Sequence, residues 1–248
     1  MLNKKTSEEI NILREGGKIL SQILSTVESR AKLGITGHEL NKITEDLIKE
    51  AGGAPAFKNY QGFPCALCVS VNETVVHGIP NNLPFKEGDL VGLDMGMKYK
   101  GFYTDIASTV AIGQIREEVK QLLKATRESL FVGISQVSPD GYIGDIGRAI
   151  EAYISPLGYG IVRDLAGHGV GRDIHEDPMV PNYDSGKKLD KMFPGLVIAI
   201  EPMIIMGGNH KVIIGNDGWS INSQDSSLTA HFEHSVAVTE TGYLILTE

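Results

Sequence analysis

Cysteine is scarce in this chain: 248 residues contain two, Cys65 and Cys68, spaced Cys-x-x-Cys. With no second pair, a four-thiolate zinc site cannot be completed. The stretch 65–72 also reads as a strand, which would separate the two Cα atoms by roughly 10 Å and turn the side chains to opposite faces. A disulfide needs Cα atoms closer than about 7 Å, so a redox pair is not expected. Positive charge is in deficit too. The formal net charge is −8, which argues against a broad basic surface for nucleic acid. The longest apolar run, Pro194 to Met206, is too short to span a bilayer and is interrupted by Glu201. The opening Met1-Leu2-Asn3-Lys4-Lys5-Thr6-Ser7-Glu8-Glu9 has no apolar signal-peptide core. No Pro/Gly-rich linker divides the chain. These absences lead us to expect a soluble cytoplasmic protein, residues 1–248 forming one domain, with no membrane or direct nucleic-acid site.

Acidic residues appear where apolar ones are expected. Asp94, Asp105, Glu201 and Glu233, with His168, interrupt the most apolar stretches, and no Lys or Arg lies within three residues of Glu201 or Glu233. Burying a carboxylate costs several kcal/mol, by order of magnitude, unless positive charge compensates it. Four oxygen-donor side chains and one imidazole suit two divalent ions. Two such ions carry +4 against the −4 of the carboxylates, leaving room for one hydroxide. The residues alone therefore point to a metal-dependent hydrolase.

The expected scaffold is α+β and mostly antiparallel. Thr6-x-x-Glu9 and Thr36-x-x-Glu39 are capping boxes opening helices through about Arg30 and to Gly52-Gly53. Further helices are expected over Glu117 to about Val137 and from Asp145 to Ile154, stopped by Ser155-Pro156. Strands are expected near 65–72, 90–97, 102–112, 161–166, 196–205, 210–214, 230–238 and 243–247. If the second and third form a hairpin turning beside Gly101, Asp94 and Asp105 become direct cross-strand partners on one face. Glu233 should share a face with Ser235 and Ala237. His77, before Gly78-Ile79-Pro80, and His175, before Glu176-Asp177-Pro178, fall at strand ends or turns, where binding residues concentrate. Each taken singly reads more readily as a surface imidazole than as a binding group.

Several motifs together resemble type I methionine aminopeptidase. They are Asp94 and Asp105 with ten residues between, Gly167-His168-Gly169-Val170-Gly171, Ile174-His175-Glu176-Asp177-Pro178, Glu201-Pro202-Met203, Glu233-His234, Val75-Val76-His77-Gly78-Ile79-Pro80 and Asp217-Gly218-Trp219. The likeness runs in order along essentially the whole chain. It implies the pita-bread fold, two pseudo-symmetric halves (about 1–113 and 114–248) around a dinuclear site. It also implies metal ligation by Asp94, Asp105, His168, Glu201 and Glu233, with Asp105 and Glu233 bridging. His77 would meet the scissile amide nitrogen, His175 the carbonyl oxygen, and Glu201 would move the proton of a metal-activated water. Tyr60, Phe63, Cys68, His77 and Trp219 match the methionine side-chain pocket, with Phe57 and Ile174 beside them.

The implied reaction is removal of the initiator methionine from nascent polypeptides with a small second residue. The implied cofactors are two divalent ions (Co, Mn, Fe or Zn), with a monovalent cation near Asn72, Thr74 and Thr229. A monomer with ribosome association goes with this reading. Two departures touch pocket shape: Phe63 stands where many bacterial members carry Tyr, and Ile174 where an aromatic is common. A proline-directed peptidase of the same fold is the nearest rival, although such enzymes usually carry an extra N-terminal domain. A non-catalytic peptide-binding relative is a further rival, although such proteins typically lose several ligands.

Overall fold

The computed structural model describes residues 2–248. Four helices form where the capping and apolar spacing require: α1 (Ser7–Arg30), α2 (Gly37–Glu50), α3 (Glu117–Ile134) and α4 (Ile143–Ile154). Both expected capping boxes are made, Thr6 with Glu9 and Thr36 with Glu39. The helix expected to reach Val137 ends at Ile134, and the one expected from Asp145 starts at Ile143. The strands are β1 (Ala54–Pro55), β2 (Cys68–Val71), β3 (Thr74–Val76), β4 (Leu90–Tyr99), β5 (Phe102–Ala111), β6 (Gly160–Ile161), β7 (Gly167–Gly169), β8 (Glu176–Val180), β9 (Val197–Ile200), β10 (Met203–Ile205), β11 (Val212–Ile214), β12 (Ile221–Ser223), β13 (Thr229–His231), β14 (Glu233–Val238) and β15 (Tyr243–Ile245).

A nine-stranded sheet carries the order β1-β4-β5-β14-β9-β7-β8, with β2 also on β4 and β15 also on β14. Two three-stranded sheets, β13-β10-β6 and β11-β12-β3, complete the fold. All the pairings are antiparallel. One apolar cluster joins α3 and α4 to β9 and β14, and another joins α1 and α2 to β4 and β5. Each helix pair thus buries its apolar stripe against its own part of the central sheet. Among the described residues no helix is long and apolar enough to cross a membrane.

Five expectations change. The β4–β5 hairpin turns through Lys100 (φ 47°) and Gly101 (φ 92°). Two left-handed residues in a row make the tight primed turn that matches strand twist, and glycine takes the second position without strain. Tyr99 then pairs Phe102, so Asp94 lies opposite Ala107 and Asp105 opposite Gly96. The two aspartates share a face as diagonal neighbours, not as direct partners. The expected strand 196–205 breaks at Glu201-Pro202, and 230–238 breaks at Phe232; each continues into a different sheet. Proline cannot donate to the ladder, so the first break falls where the sequence allows it. The strand expected over 161–166 shrinks to Gly160–Ile161. Finally, Cys65 precedes β2 and does not lie on it, and both cysteines are free thiols.

Candidate metal centre and substrate cleft

The sheet order explains why these acids meet. Asp94 is on β4, Asp105 on β5, Glu233 at the start of β14, Glu201 just past β9 and His168 on β7, and these five strands are consecutive neighbours. Ala107 pairs with both Asp94 and Glu233, which places those two carboxylates on either side of one small residue. His234 pairs with Ile200 on β9, so Glu233 and Glu201 follow side by side. Four of the backbones are held by their ladders, and that of Glu201, one residue past β9, accepts from Asn182 Nδ2.

Asp94, Asp105 and Glu233 are buried, and the Glu201 side chain is 12% exposed. Among the described residues no Lys or Arg pairs with any of them; their only ion-pair contacts are imidazoles. His168 Nε2 lies 3.6 Å from Glu201 Oε1 and 4.0 Å from Asp105 Oδ2. Burial, reinforced by neighbouring carboxylates, drives Asp94 and Glu233 well above the ordinary carboxylate range. Burial pushes Asp105 to about 8, with Glu201 adding to the effect, and pushes Glu201 itself to about 8. Burial holds His168 down to about 3, so its ring is neutral and able to ligate.

The donor set fits divalent metal. Asp94 Oδ1 and Glu233 Oε1 are buried without any hydrogen-bond partner. Buried polar atoms are normally satisfied, so orphaned carboxylate oxygens in one site need an outside partner. Ligand atoms of Asp105, His168 and Glu233 lie within 4.8 Å of one another, as do those of Glu201, His231 and Glu233. The two groups share Glu233, as a carboxylate between two ions would require.

The centre opens into a cleft of about 510 Å³. Every expected site residue lines it: Tyr60, Phe63, Cys68, His77, Asp94, Asp105, His168, His175, Glu201, Trp219 and Glu233. Phe57 lines it as well, and Ile174 packs in the same apolar cluster just behind. Cys68 sits on β2 directly opposite Asp94, which carries the apolar pocket to the edge of the carboxylates. Burial, then the Asp94 charge, raises the Cys68 thiol and keeps it protonated. Phe63 and Trp219 meet edge to face, 5.3 Å between centroids. Gly96 lies beneath Phe57 and Ile174: a Cβ there would come within 2.9 Å of Phe57 Cε1 and 3.1 Å of Ile174 Cδ1, so only glycine lets these side chains cover the strand.

Two imidazoles face the opening. His175 Nδ1 is 3.0 Å from the Tyr60 hydroxyl, and its ring lies 4.3 Å from that of His168. His77 occupies the left-handed region at φ 58°, an uncommon conformation for a residue with a Cβ and one that gathers at functional sites. Crowding by the cleft walls lowers both, with His231 adding to the effect at His77 and His77 adding to it at His175. Both are neutral hydrogen-bonding groups at pH 7. Several residues at the site escaped sequence reasoning, among them Gln61 and Asp164 on the cleft wall. Met179 and Met203 line the cleft, and buried His231 approaches Glu201. Two-residue alternation already put His231 on the Glu233 side of its strand, and that was the available signal.

Comparison with known proteins agrees with this geometry. The model of metallopeptidase family M24 matches residues 11–240. The methionine aminopeptidase of Clostridium perfringens is 41% identical over 247 residues, covering 100% of this chain and 99% of that one. Methionine aminopeptidase 1 of Bacillus subtilis has the same identity and coverage. The crystal structure of methionine aminopeptidase from Rickettsia prowazekii superposes with a TM-score of 0.97 at 35% identity, covering 100% of both chains. A prolidase from Pyrococcus furiosus superposes at 0.80 with 25% identity, and this chain spans 65% of its length. The antiparallel sheet, its flanking helix pairs and these matches make the architecture the pita-bread fold, and the chain belongs to metallopeptidase family M24.

Proposed function

We propose that the protein is a metal-dependent aminopeptidase that removes the initiator methionine from nascent polypeptides, preferring a small second residue. One observation carries the reading: five metal-type side chains without a Lys or Arg partner converge in a cleft also lined by Phe57, Phe63 and Trp219 and by the sulfur-bearing Cys68, Met179 and Met203. Asp94, Asp105, His168, Glu201 and Glu233 would hold two divalent ions, with Mn, Fe, Co and Zn all compatible with oxygen-rich ligation and one imidazole. Such ions lower the pKa of water toward about 7 and polarise a carbonyl.

The chain's own groups supply the rest. Glu201 takes a proton and passes it to the leaving nitrogen. His175, oriented by Tyr60, donates to the carbonyl oxygen as charge develops there. His77 contacts the scissile nitrogen. Tyr60, Phe63, Cys68 and Trp219 enclose the first side chain, and an unbranched thioether suits such a pocket. Residues 1–248 act as one catalytic domain, with Asp94 and Asp105 from the half 1–113 and His168, Glu201 and Glu233 from the half 114–248. The reading extends to a monovalent cation where the Thr229 hydroxyl lies 2.9 Å from the carbonyls of Asn72 and Thr74. It also extends to a cytoplasmic monomer working on chains as they leave the ribosome.

Release of methionine from Met-Ala-Ser, with and without chelator, is the test. Metal-dependent release is expected, and folded, metal-loaded protein that releases none would refute the reading. Preferential cleavage of Xaa-Pro substrates would favour the prolidase alternative. The matched prolidase gives that alternative less support, at 25% identity against 41% for the methionine aminopeptidases of Clostridium perfringens and Bacillus subtilis.

A further inference from the structure

One imidazole at the centre has no task in the scheme above. His231 ends β13 and is 3% exposed. Its backbone is locked from both sides: its N–H donates to Thr109 Oγ1 and its carbonyl accepts from the same hydroxyl, each at 2.9 Å. It also pairs with Met203 on β10, the strand that begins two residues after Glu201. The backbone that carries the ring is therefore fixed by two sheets. Its Nε2 is buried and has no hydrogen-bond partner. The nearest ion-pairing oxygen is Glu201 Oε2 at 3.4 Å. The other oxygen of that carboxylate, Oε1, faces His168 Nε2 at 3.6 Å. Glu201 is thus flanked by two imidazoles, one to each oxygen. A carboxylate that must both meet an ion and carry a proton benefits from such a division, because its two oxygens then have different neighbours.

We propose that His231 is a positioning residue for Glu201, donating its Nε2–H to Oε2 and so presenting Oε1 on the His168 side. The inference rests on the function proposed above, since Glu201's proton transfer is what the contact would serve. Partners of this kind, one bond removed from a metal, typically change affinity or activity by about 10–100-fold when removed. A carboxylate without its partner rotates, and misplacement of a reacting group costs turnover more than substrate binding.

The test uses the full-length protein loaded with Mn²⁺ or Co²⁺ and two variants. His231→Gln keeps a neutral N–H donor, whereas His231→Leu removes it. On Met-Ala-Ser, His231→Leu should lose about tenfold or more in kcat with KM little changed, and His231→Gln should recover most of that loss. Equal losses in the two variants, or no loss in His231→Leu, would overturn the proposal. Pulsed electron paramagnetic resonance of bound Mn²⁺ should count one coordinated imidazole nitrogen in the wild type and in both variants. Two nitrogens in the wild type would make His231 a ligand and sink the positioning role. The visible absorption of the Co²⁺ form should change in His231→Leu and return in His231→Gln, reporting Glu201's orientation independently of catalysis. If loaded wild type releases no methionine, the function fails, and this spectral pair alone decides the role of His231: restoration by Gln supports it, and an unchanged Leu spectrum refutes it.

Discussion

Two clusters of buried charge lie on neighbouring parts of this molecule, and they are built in opposite ways. Near the N-terminus, Lys5 Nζ meets Glu176 Oε2 at 2.6 Å, with side chains 0% and 3% exposed. Glu176 also accepts from Asn3 Nδ2 and from the backbone N–H groups of Arg172 and Asp173. Burial would raise Glu176, but these donors outweigh it and hold its pKa below the ordinary value. For Lys5 burial wins, and its pKa falls. The asymmetry is physical, because the carboxylate collects four N–H donors while the ammonium has one carboxylate. At the centre, by contrast, four carboxylates face one another with no Lys or Arg partner among the described residues, and all four are raised. A fold that supplies donors to a buried acid is using it for structure. A fold that leaves carboxylate oxygens orphaned is keeping them for a ligand.

The contrast can be broken at either end, and the largest effect belongs to the centre. Glu201→Gln should retain the fold yet lose on the order of 10²–10⁴ in kcat, read from methionine release alongside a thermal melt. Wild-type-like turnover would remove Glu201's proton role. Lys5→Met should cost about 3–5 kcal/mol in urea unfolding, because it strands a buried carboxylate. Adding Glu176→Gln should return part of that loss, and a single variant as stable as the wild type would make the pair dispensable.

Next comes pH. In the unfolded chain these acids ionise near pH 4, whereas folded and metal-free Asp105 and Glu201 hold protons to about 8. The native state therefore binds more protons across that window, and stability without metal should fall as pH rises from about 4 to about 8, by at least ~2 kcal/mol. Saturating Mn²⁺ should flatten the slope, and a metal-free profile that climbs through this window would contradict the shifts. Smallest of all, Lys100→Ala removes an exposed pair with Glu15 and should leave the melting temperature unchanged within error.

The candidate metal centre was legible in the sequence because carboxylates inside apolar strands are chemically out of place, and Asp94, Asp105, Glu201 and Glu233 all have that signature. Other features were hidden for definite reasons. The breaks at Pro202 and Phe232 fall inside stretches that otherwise continue a strand pattern, so each pair of strands read as one, and His231 was lost inside the second. The strand Gly167–Gly169 has no β-branched residue to announce it. The two-residue offset of Asp94 from Asp105 depended on where the turn closes, which the midpoint between them did not reveal. Lys5 lies in a polar stretch and gave no sign that it would be buried. The aromatic pocket came from resemblance alone, since Trp219 is far in the chain from Tyr60 and Phe63 and only the fold brings it to their cleft.

The central claim is that these raised carboxylates are held for divalent metal, and proton release on binding tests it most directly. Calorimetric titration of metal-free protein with Mn²⁺ near pH 7, repeated in buffers of different ionisation enthalpy, counts the protons displaced. The account predicts binding that saturates at two ions with roughly one or more protons released per chain. Binding with no proton release, or no binding by well-folded protein, would contradict it.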